Sequence, residues 1–261
     1  MRIVIIPIIL VAVLAAAIFS GCGTNGLGNI VTEENDFTDF TYVEVEDTFD
    51  VEITQSESFS VTVSADESFA DYVAVSREGN TLRIYLNPRH TFTDFTLQAR
   101  TLKARITMPA LHGLHLSGAS KGTITGFKSP HNLSVEVSGA SSLNIDDIEV
   151  DDAELEISGA SKVSGSMRAD DAVIEASGAS KIELKGSADD IVLRASGASK
   201  VNLTDFPLNN ADVKLSGASE TTINAKGKLD CVLSAASRLY FLGNPTMGNI
   251  NVTGASTIKH K

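Results

Sequence analysis

The chain has little of what fills a conventional globular core. It contains no tryptophan, aromatic residues amount to 6%, and only two of its 261 residues are cysteine. Two cysteines are too few for a disulfide framework. Thin elements stacked in a regular way suit such a composition better than bulky side chains do. The apolar content of 43% is nevertheless enough for a folded interior.

Basic residues are scarce as well. The chain has 21 lysines and arginines against 33 aspartates and glutamates, which gives a net charge of −12. Binding to the phosphate backbone of a duplex needs a basic face that releases counterions. We therefore expect no nucleic-acid partner.

The N-terminus has the layout of an export signal. Arg2 precedes an apolar run from Ile3 to Phe19, and a polar stretch follows Cys22. Such an order is typical of signal peptides. The segment Phe19-Ser20-Gly21-Cys22 resembles the lipobox of bacterial lipoproteins, although Phe19 departs from the usual leucine. An uncleaved transmembrane helix or an ordinary secretory signal are the alternatives.

Lipidation fixes the expected location and the first domain boundaries. Residues 1–21 would be removed, and Cys22 would carry lipid that holds the protein to a membrane of the cell envelope, either the outer membrane or the outer face of the plasma membrane. Residues 22–36 are rich in Gly, Asn, Thr and Glu, and we interpret them as a flexible tether.

A four-residue repeat dominates the rest of the chain. The tetrad Ser-Gly-Ala-Ser, twice in varied form, occurs eight times, starting at Ser117, Ser138, Ser158, Ser177, Ser196, Ser216, Ser234 and Thr253. Successive starts lie 21, 20, 19, 19, 20, 18 and 19 residues apart. This spacing suits one coil of a β-solenoid and is too short for a helical pair or a propeller blade.

Aligning the copies on their first serine shows apolar positions with a period of two. Aliphatic residues occupy the positions one, three and five residues before the tetrad, as in Ile157, Leu155 and Ala153, and the alternation resumes after it, as in Val163. A period of two indicates a strand with one face inward. Cys231 falls in the position three before the tetrad, so we predict a buried core thiol.

The tetrad is therefore interpreted as a corner between two short strands. Its glycine supplies the backbone freedom for the bend, and its alanine is expected to fit a tight interior. The fold class predicted for residues 113–261 is an all-β, right-handed parallel β-helix, or β-solenoid, with coils of roughly 19–20 residues. Eight coils would form a rod of about 38 Å.

Residues 37–112 alternate strongly between apolar and polar residues and also predict strands. Because a solenoid needs its open edge covered, this β-rich segment is expected either to cap the rod or to add irregular first coils.

The order of these parts resembles the putative auto-transporter adhesin, head-GIN domain family. Three segments and the repeated tetrads carry the resemblance: Phe49-Asp50-Val51-Glu52-Ile53, Thr81-Leu82-Arg83-Ile84 and Ile106-Thr107-Met108-Pro109-Ala110-Leu111. The resemblance covers roughly residues 37–258. It implies a β-helical domain on an exported protein and an adhesin function.

Two outward positions of the repeat carry stacked charges. Lysines stand four residues after the first serine in three consecutive coils: Lys162, Lys181 and Lys200. Like charges about 5 Å apart repel unless anions lie between them, so this lysine stripe could receive an acidic glycan. The alternative is a solvated surface balanced by the nearby Glu136, Glu156 and Glu175.

At the opposite corner, acidic pairs precede the tetrads. They are Asp151, Asp152, Asp170, Asp171, Asp189 and Asp190. Stacked carboxylates would suit calcium, the one cofactor that the sequence suggests. The alternative is that Asp merely closes turns there. His112, His115 and His131 have no pattern of a metal site, so we predict an ordinary surface or cap role for them.

Three functions remain open after these observations. The first is a non-catalytic, adhesin-like module that presents a rigid face to a polysaccharide or a protein, which the regular outward chemistry favours. The second is a polysaccharide lyase or hydrolase, which needs long loops around a cleft that coils of this length do not provide. The third is a purely structural or envelope-stress protein without a soluble ligand.

Overall fold

A computed structural model describes residues 29–87 and 101–261. Within these ranges the chain is almost entirely β, and its strands form a twelve-stranded sheet, called sheet A, and an eleven-stranded sheet, called sheet B. The prediction of a β-solenoid is confirmed. The predicted signal peptide, residues 1–21, and the predicted lipidation position Cys22 lie outside the described residues.

The first third of the described chain holds seven strands and a short helix. These are β1 (Ile30–Asn35), β2 (Tyr42–Val45), β3 (Asp50–Gln55), β4 (Ser60–Asp66), α1 (Glu67–Ala70), β5 (Val73–Glu78), β6 (Thr81–Leu86) and β7 (Leu102–Met108).

Each tetrad joins one strand of sheet B to one strand of sheet A. The sheet B strands are β8 (Gly113–Leu116), β10 (Leu133–Val137), β12 (Ala153–Ile157), β14 (Asp171–Ala176), β16 (Asp190–Ala195), β18 (Asn210–Leu215), β20 (Lys228–Leu233) and β22 (Thr246–Val252). The sheet A strands are β9 (Lys121–Thr125), β11 (Ser142–Glu149), β13 (Lys162–Arg168), β15 (Lys181–Ser187), β17 (Lys200–Leu208), β19 (Glu220–Ala225), β21 (Arg238–Leu242) and β23 (Thr257–His260).

The strands pair in parallel in the register that the tetrad alignment predicts. Leu155 lies beside Ile174, which lies beside Leu193, and the row continues to Cys231. These four side chains are at most 1% exposed. The interior rows and the buried Cys231 are therefore confirmed.

The corners confirm the role of glycine and correct that of alanine. The tetrad glycines have positive φ, as in Gly159 at 69°, and a Cβ there would collide with the carbonyl oxygen of Gly139. The alanines are exposed, and the last serine is buried instead in every tetrad except the C-terminal one. The hydroxyl of Ser199 donates across the corner to the carbonyl oxygen of Ser196 at 2.8 Å. Within the described chain, the buried hydroxyls of Ser141, Ser161 and Ser180 have no hydrogen-bond partner. The expectation that alanine fills the interior is wrong.

Two further coils precede the first tetrad. Strands β2 and β3 pair in parallel with β8 and β9, and the corner between them places Asp47 at the glycine position with φ of 70°. Strands β6 and β7 pair in parallel with the other edges of β2 and β3. The core of the solenoid therefore extends into residues 37–112.

Antiparallel strands cover the N-terminal end. Strand β4 pairs with β7, β1 pairs with β4, and β5 pairs with β6, all antiparallel. Helix α1 adds Phe69, which is buried. Strand β1 falls within the predicted tether 22–36, and that prediction is wrong for these six residues because their backbone pairs with β4.

The C-terminal coil is the least buried part of the solenoid. All seven residues of β22 are exposed, including Ile250 and Val252 at 38% each. In the ranges that the structure describes, no helix is long and apolar enough to cross a membrane.

Candidate ligand-binding faces

The lysine stripe lies on the outer face of sheet A. Lys162, Lys181 and Lys200 are direct neighbours on β13, β15 and β17, and all three side chains are exposed. Parallel strands are about 4.8 Å apart, so the three ammonium groups form a short row along the rod. The structure thus brings these three residues together as the alignment predicted.

Two of the three lysines have no ion pair among the described residues, although Glu220 on β19 is the direct strand neighbour of Lys200. Lys181 Nζ lies 3.4 Å from a carboxylate oxygen of Glu183. Within the described chain, Lys162 and Lys200 form no ion pair. The suggested balance by Glu136, Glu156 and Glu175 is not seen, because those glutamates lie on sheet B, beyond the tetrad corner. An exposed ion pair such as Lys181–Glu183 contributes little energy, so the stripe keeps its attraction for anions.

Polar side chains extend the face beside the stripe. Two residues beyond the lysine positions, on the same side of the sheet, stand Asn144, Ser164, Glu183 and Asn202. Short side chains at Ser164 and Ser166 leave a shallow depression of about 310 Å³, which is also lined by Asp146 and Lys185. The face thus combines cationic groups with neutral hydrogen-bonding groups and with the carboxylates of Asp146 and Glu183. Sequence reasoning missed these residues, although the same alignment, continued two positions further, contains them.

The aspartate edge forms a line of carboxylates and not a cage. Asp171 is the neighbour of Asp190, and the backbone of Asp170 bonds those of Asp151 and Asp189. Partial desolvation, and then the negative charges of Asp151 and Asp189, raise the pKa of Asp170. Calcium takes six to eight oxygens around one point. In the described part of the chain, no three His, Cys, Asp or Glu side chains are grouped to hold a metal ion, so the calcium edge stays a prediction without geometric support.

The three histidines near the first coils lie beside carboxylates or aromatic rings. His115 lies 3.9 Å from Glu44 and 3.8 Å from Glu136. The rings of His112 and His131 are 4.8 Å apart. Desolvation, and then the charge of His131, lower the pKa of His112. The arrangement fits the surface and cap role expected for these residues.

Cys231 is chemically quiet in this environment. Burial, and then the charge of Asp230, raise the pKa of its thiol to about 11. The thiolate is the reactive form of cysteine, so the thiol is inert at neutral pH.

The fold is thus that of an all-β solenoid protein, and its charged groups lie in rows along the outer faces of sheets A and B. The chain belongs to the family described as "Putative auto-transporter adhesin, head GIN domain", whose family model matches residues 39–245. The resemblance carried by the tetrads is thereby confirmed.

Several solved structures share this fold. A putative adhesin from Parabacteroides merdae superposes with a TM-score of 0.82 at 17% identity, over 90% of this chain and 98% of that chain. A putative lipid binding protein from Parabacteroides distasonis superposes with a TM-score of 0.77 at 19% identity, over 90% of this chain and 97% of that chain. A putative adhesin from the same species superposes with a TM-score of 0.79 at 16% identity, over 90% of this chain and 98% of that chain. At these identities the likeness concerns the fold alone. No curated protein matches the chain.

Proposed function

We propose that this protein is a non-catalytic, adhesin-like lipoprotein of the cell envelope that binds an anionic polysaccharide along its lysine stripe. Membership in a family described as adhesins supports the adhesin part. The lipobox-like segment ending at Cys22 supports export and anchoring.

The observation that carries the binding proposal is the stacking of three lysines in a protein of net charge −12. Bringing these ammonium groups together costs Coulomb energy, and an anion between them relieves it. A polymer with regularly spaced carboxylates or sulfates would contact several lysines at once, which raises its avidity. Asn144, Ser164 and Asn202 would meet its hydroxyl groups.

The regularity of the described surface supports a function without catalysis. Catalysis needs a unique cluster of acids, bases and positioning groups in a cleft. The central coils instead carry like charges at neighbouring positions, as at Lys162, Lys181 and Lys200, and the depression beside the stripe is shallow and open. A polysaccharide lyase or hydrolase is therefore the less favoured function.

Binding to a defined polymer tests this proposal. Polygalacturonate should bind the purified protein with an affinity that falls as ionic strength rises, whereas neutral dextran should not bind. Lys181→Glu combined with Lys200→Glu should weaken binding at least about tenfold, since two attractions become repulsions. Biolayer interferometry measures both effects.

A matched control separates the stripe from general charge. Lys214→Glu combined with Lys226→Glu changes the net charge by the same amount at positions on sheet B and beyond it. This variant should bind almost as well as the unchanged protein. Equal losses in both variants, or none in the first, would reject the lysine stripe as the contact.

Anchoring has its own test. Cys22→Ala should move the protein from the membrane fraction to the soluble fraction of cells that express it, because the lipid is lost. Mass spectrometry of the unchanged protein should find acyl chains on Cys22. A membrane-bound Cys22→Ala protein would contradict lipid anchoring.

A further inference from the structure

The outer face of sheet B carries a second row of stacked charges, of opposite sign. Glu136, Glu156 and Glu175 are direct neighbours on β10, β12 and β14 and are exposed. We call them the glutamate ladder. Glu154 adds a carboxylate on the same face, two residues before Glu156.

The ladder is only partly neutralised within the molecule. Glu175 pairs with Arg194 at 2.7 Å, and Glu136 lies near His115. Glu156 forms no ion pair with any described residue. The protein thus holds two short self-repelling rows: a cationic one on sheet A, which ends where Glu220 follows Lys200, and an anionic one on sheet B, which ends where Arg194 follows Glu175.

The two rows share one spacing, because each is built by successive coils of the same solenoid. A row of lysines on one copy can therefore lie along a row of glutamates on another over several coils without losing register. Such a contact relieves the repulsion within both rows at once. A second copy therefore matches the coil-to-coil spacing of the lysine stripe without any other partner.

We propose that a second copy of this chain docks laterally, with its glutamate ladder on the lysine stripe of the first copy. The rods would lie parallel, which suits copies anchored to the same membrane through their N-termini, and in this respect the inference rests on the proposed anchoring. The contact joins different patches on the two copies, so it continues into a ring or a row of copies.

The available area is sufficient for such a contact. A face of eight coils and five residues measures about 38 Å by 17 Å, so two faces together would bury about 1,300 Å², and specific interfaces bury about 1,200–2,000 Å². Because the contact is largely ionic and exposed, it should weaken with salt. An anionic polymer on the lysine stripe would compete with the neighbouring copy.

Zero-length crosslinking of the full chain in phospholipid vesicles tests the inference. A carbodiimide joins a carboxylate to an amine only when they are in contact. Intermolecular products should link Lys162, Lys181 or Lys200 to Glu136, Glu156 or Glu175. Their yield should fall at least about tenfold at high salt and with added polygalacturonate.

Two reversed variants and their mixture provide the decisive comparison. One carries Lys162→Glu, Lys181→Glu and Lys200→Glu, and the other carries Glu136→Lys, Glu156→Lys and Glu175→Lys. Each alone should lose intermolecular crosslinks, since its two faces have the same sign. Mixed in the same vesicles, the two variants should regain them, because each offers the complement of the other. Circular dichroism checks that both are folded, and Glu156→Lys alone serves as a milder variant.

The outcomes separate this inference from the proposed function. The glutamate variant keeps the lysine stripe, so it should still bind polygalacturonate while losing self-association. Crosslinks that persist in either variant alone, or a mixture that yields none, would overturn lateral docking and leave polymer binding to be judged separately.

Discussion

The two ends of the solenoid are built differently. At the N-terminal end, β1, β4 and β5 run antiparallel to the coils, and α1 places Phe69 against the core. At the C-terminal end, β22 and β23 pair on one side only. Ile250 occupies the same row as Cys231, yet it is 38% exposed, whereas Cys231 is 1% exposed.

The difference shows where the stability of a repeating fold resides. A residue in an interior row is buried by the coils on both sides of it as well as by its own coil. Identical local sequence patterns therefore produce buried residues in the middle of the rod and half-buried ones in its last coil. Antiparallel strands that depart from the repeat supply the missing layer at the N-terminal end.

Replacing an isoleucine by alanine should change the free energy of unfolding far more near the N-terminal end than in the last coil, and this is the largest difference that we expect between the two ends. Ile53, on β3 near the N-terminal end, is 1% exposed, so Ile53→Ala should lower the free energy of unfolding by about 2–5 kcal/mol. Ile250→Ala removes the same atoms from a half-exposed site and should cost only about 1 kcal/mol. Urea unfolding followed by circular dichroism measures both.

A third isoleucine, in the middle of the rod, gives the reference value for a fully buried site. Ile174→Ala, in a central coil with 0% exposure, should resemble Ile53→Ala. If Ile250→Ala instead costs as much as Ile174→Ala, the last coil is covered in solution and the two ends are equivalent.

The regular coils could be predicted from sequence because one alignment determines them. The tetrads set the register, and with it the row from Leu155 to Cys231 and the stacking of Lys162, Lys181 and Lys200. Strand alternation in residues 37–112 indicated strands but not their partners. Strand β6 lies outside β2, and β4 returns antiparallel to β7, and no local pattern specifies which edges meet.

Errors within the repeat have physical reasons too. The small size of alanine predicts an interior position, but the left-handed glycine before it turns the chain, so that the alanine lies on the surface and the serine in the interior. The alternative of a stripe balanced by Glu136, Glu156 and Glu175 fails because neighbours in sequence, such as Lys162 and Glu156, are separated by that corner. The ligand itself leaves no local signature, since exposed charges serve solubility as well as binding.

The smallest expected effect concerns two corners near the ends of the described solenoid, where Asp47 and Ala235 take the position that glycine holds in the other tetrads. Asp47 has φ of 70° and offsets the strain by accepting a hydrogen bond from the backbone N–H of Leu86 at 2.7 Å. Ala235 has φ of 63°, and a methyl group offers no such bond. The left-handed backbone conformation costs a residue other than glycine about 1–2 kcal/mol of folding free energy. Glycine avoids that strain but lowers stability by about 0.4–1 kcal/mol, because it raises the conformational entropy of the unfolded chain.

Ala235→Gly should therefore stabilise the protein by about 0.5–1 kcal/mol. Ala236→Gly, at the next position with ordinary φ, is the matched control and should destabilise it by a similar amount because only the entropic cost remains. Urea unfolding of the two variants measures the difference. If both substitutions destabilise the protein equally, the corner at Ala235 carries no backbone strain, and the corners near the two ends differ only in the hydrogen bond of Asp47.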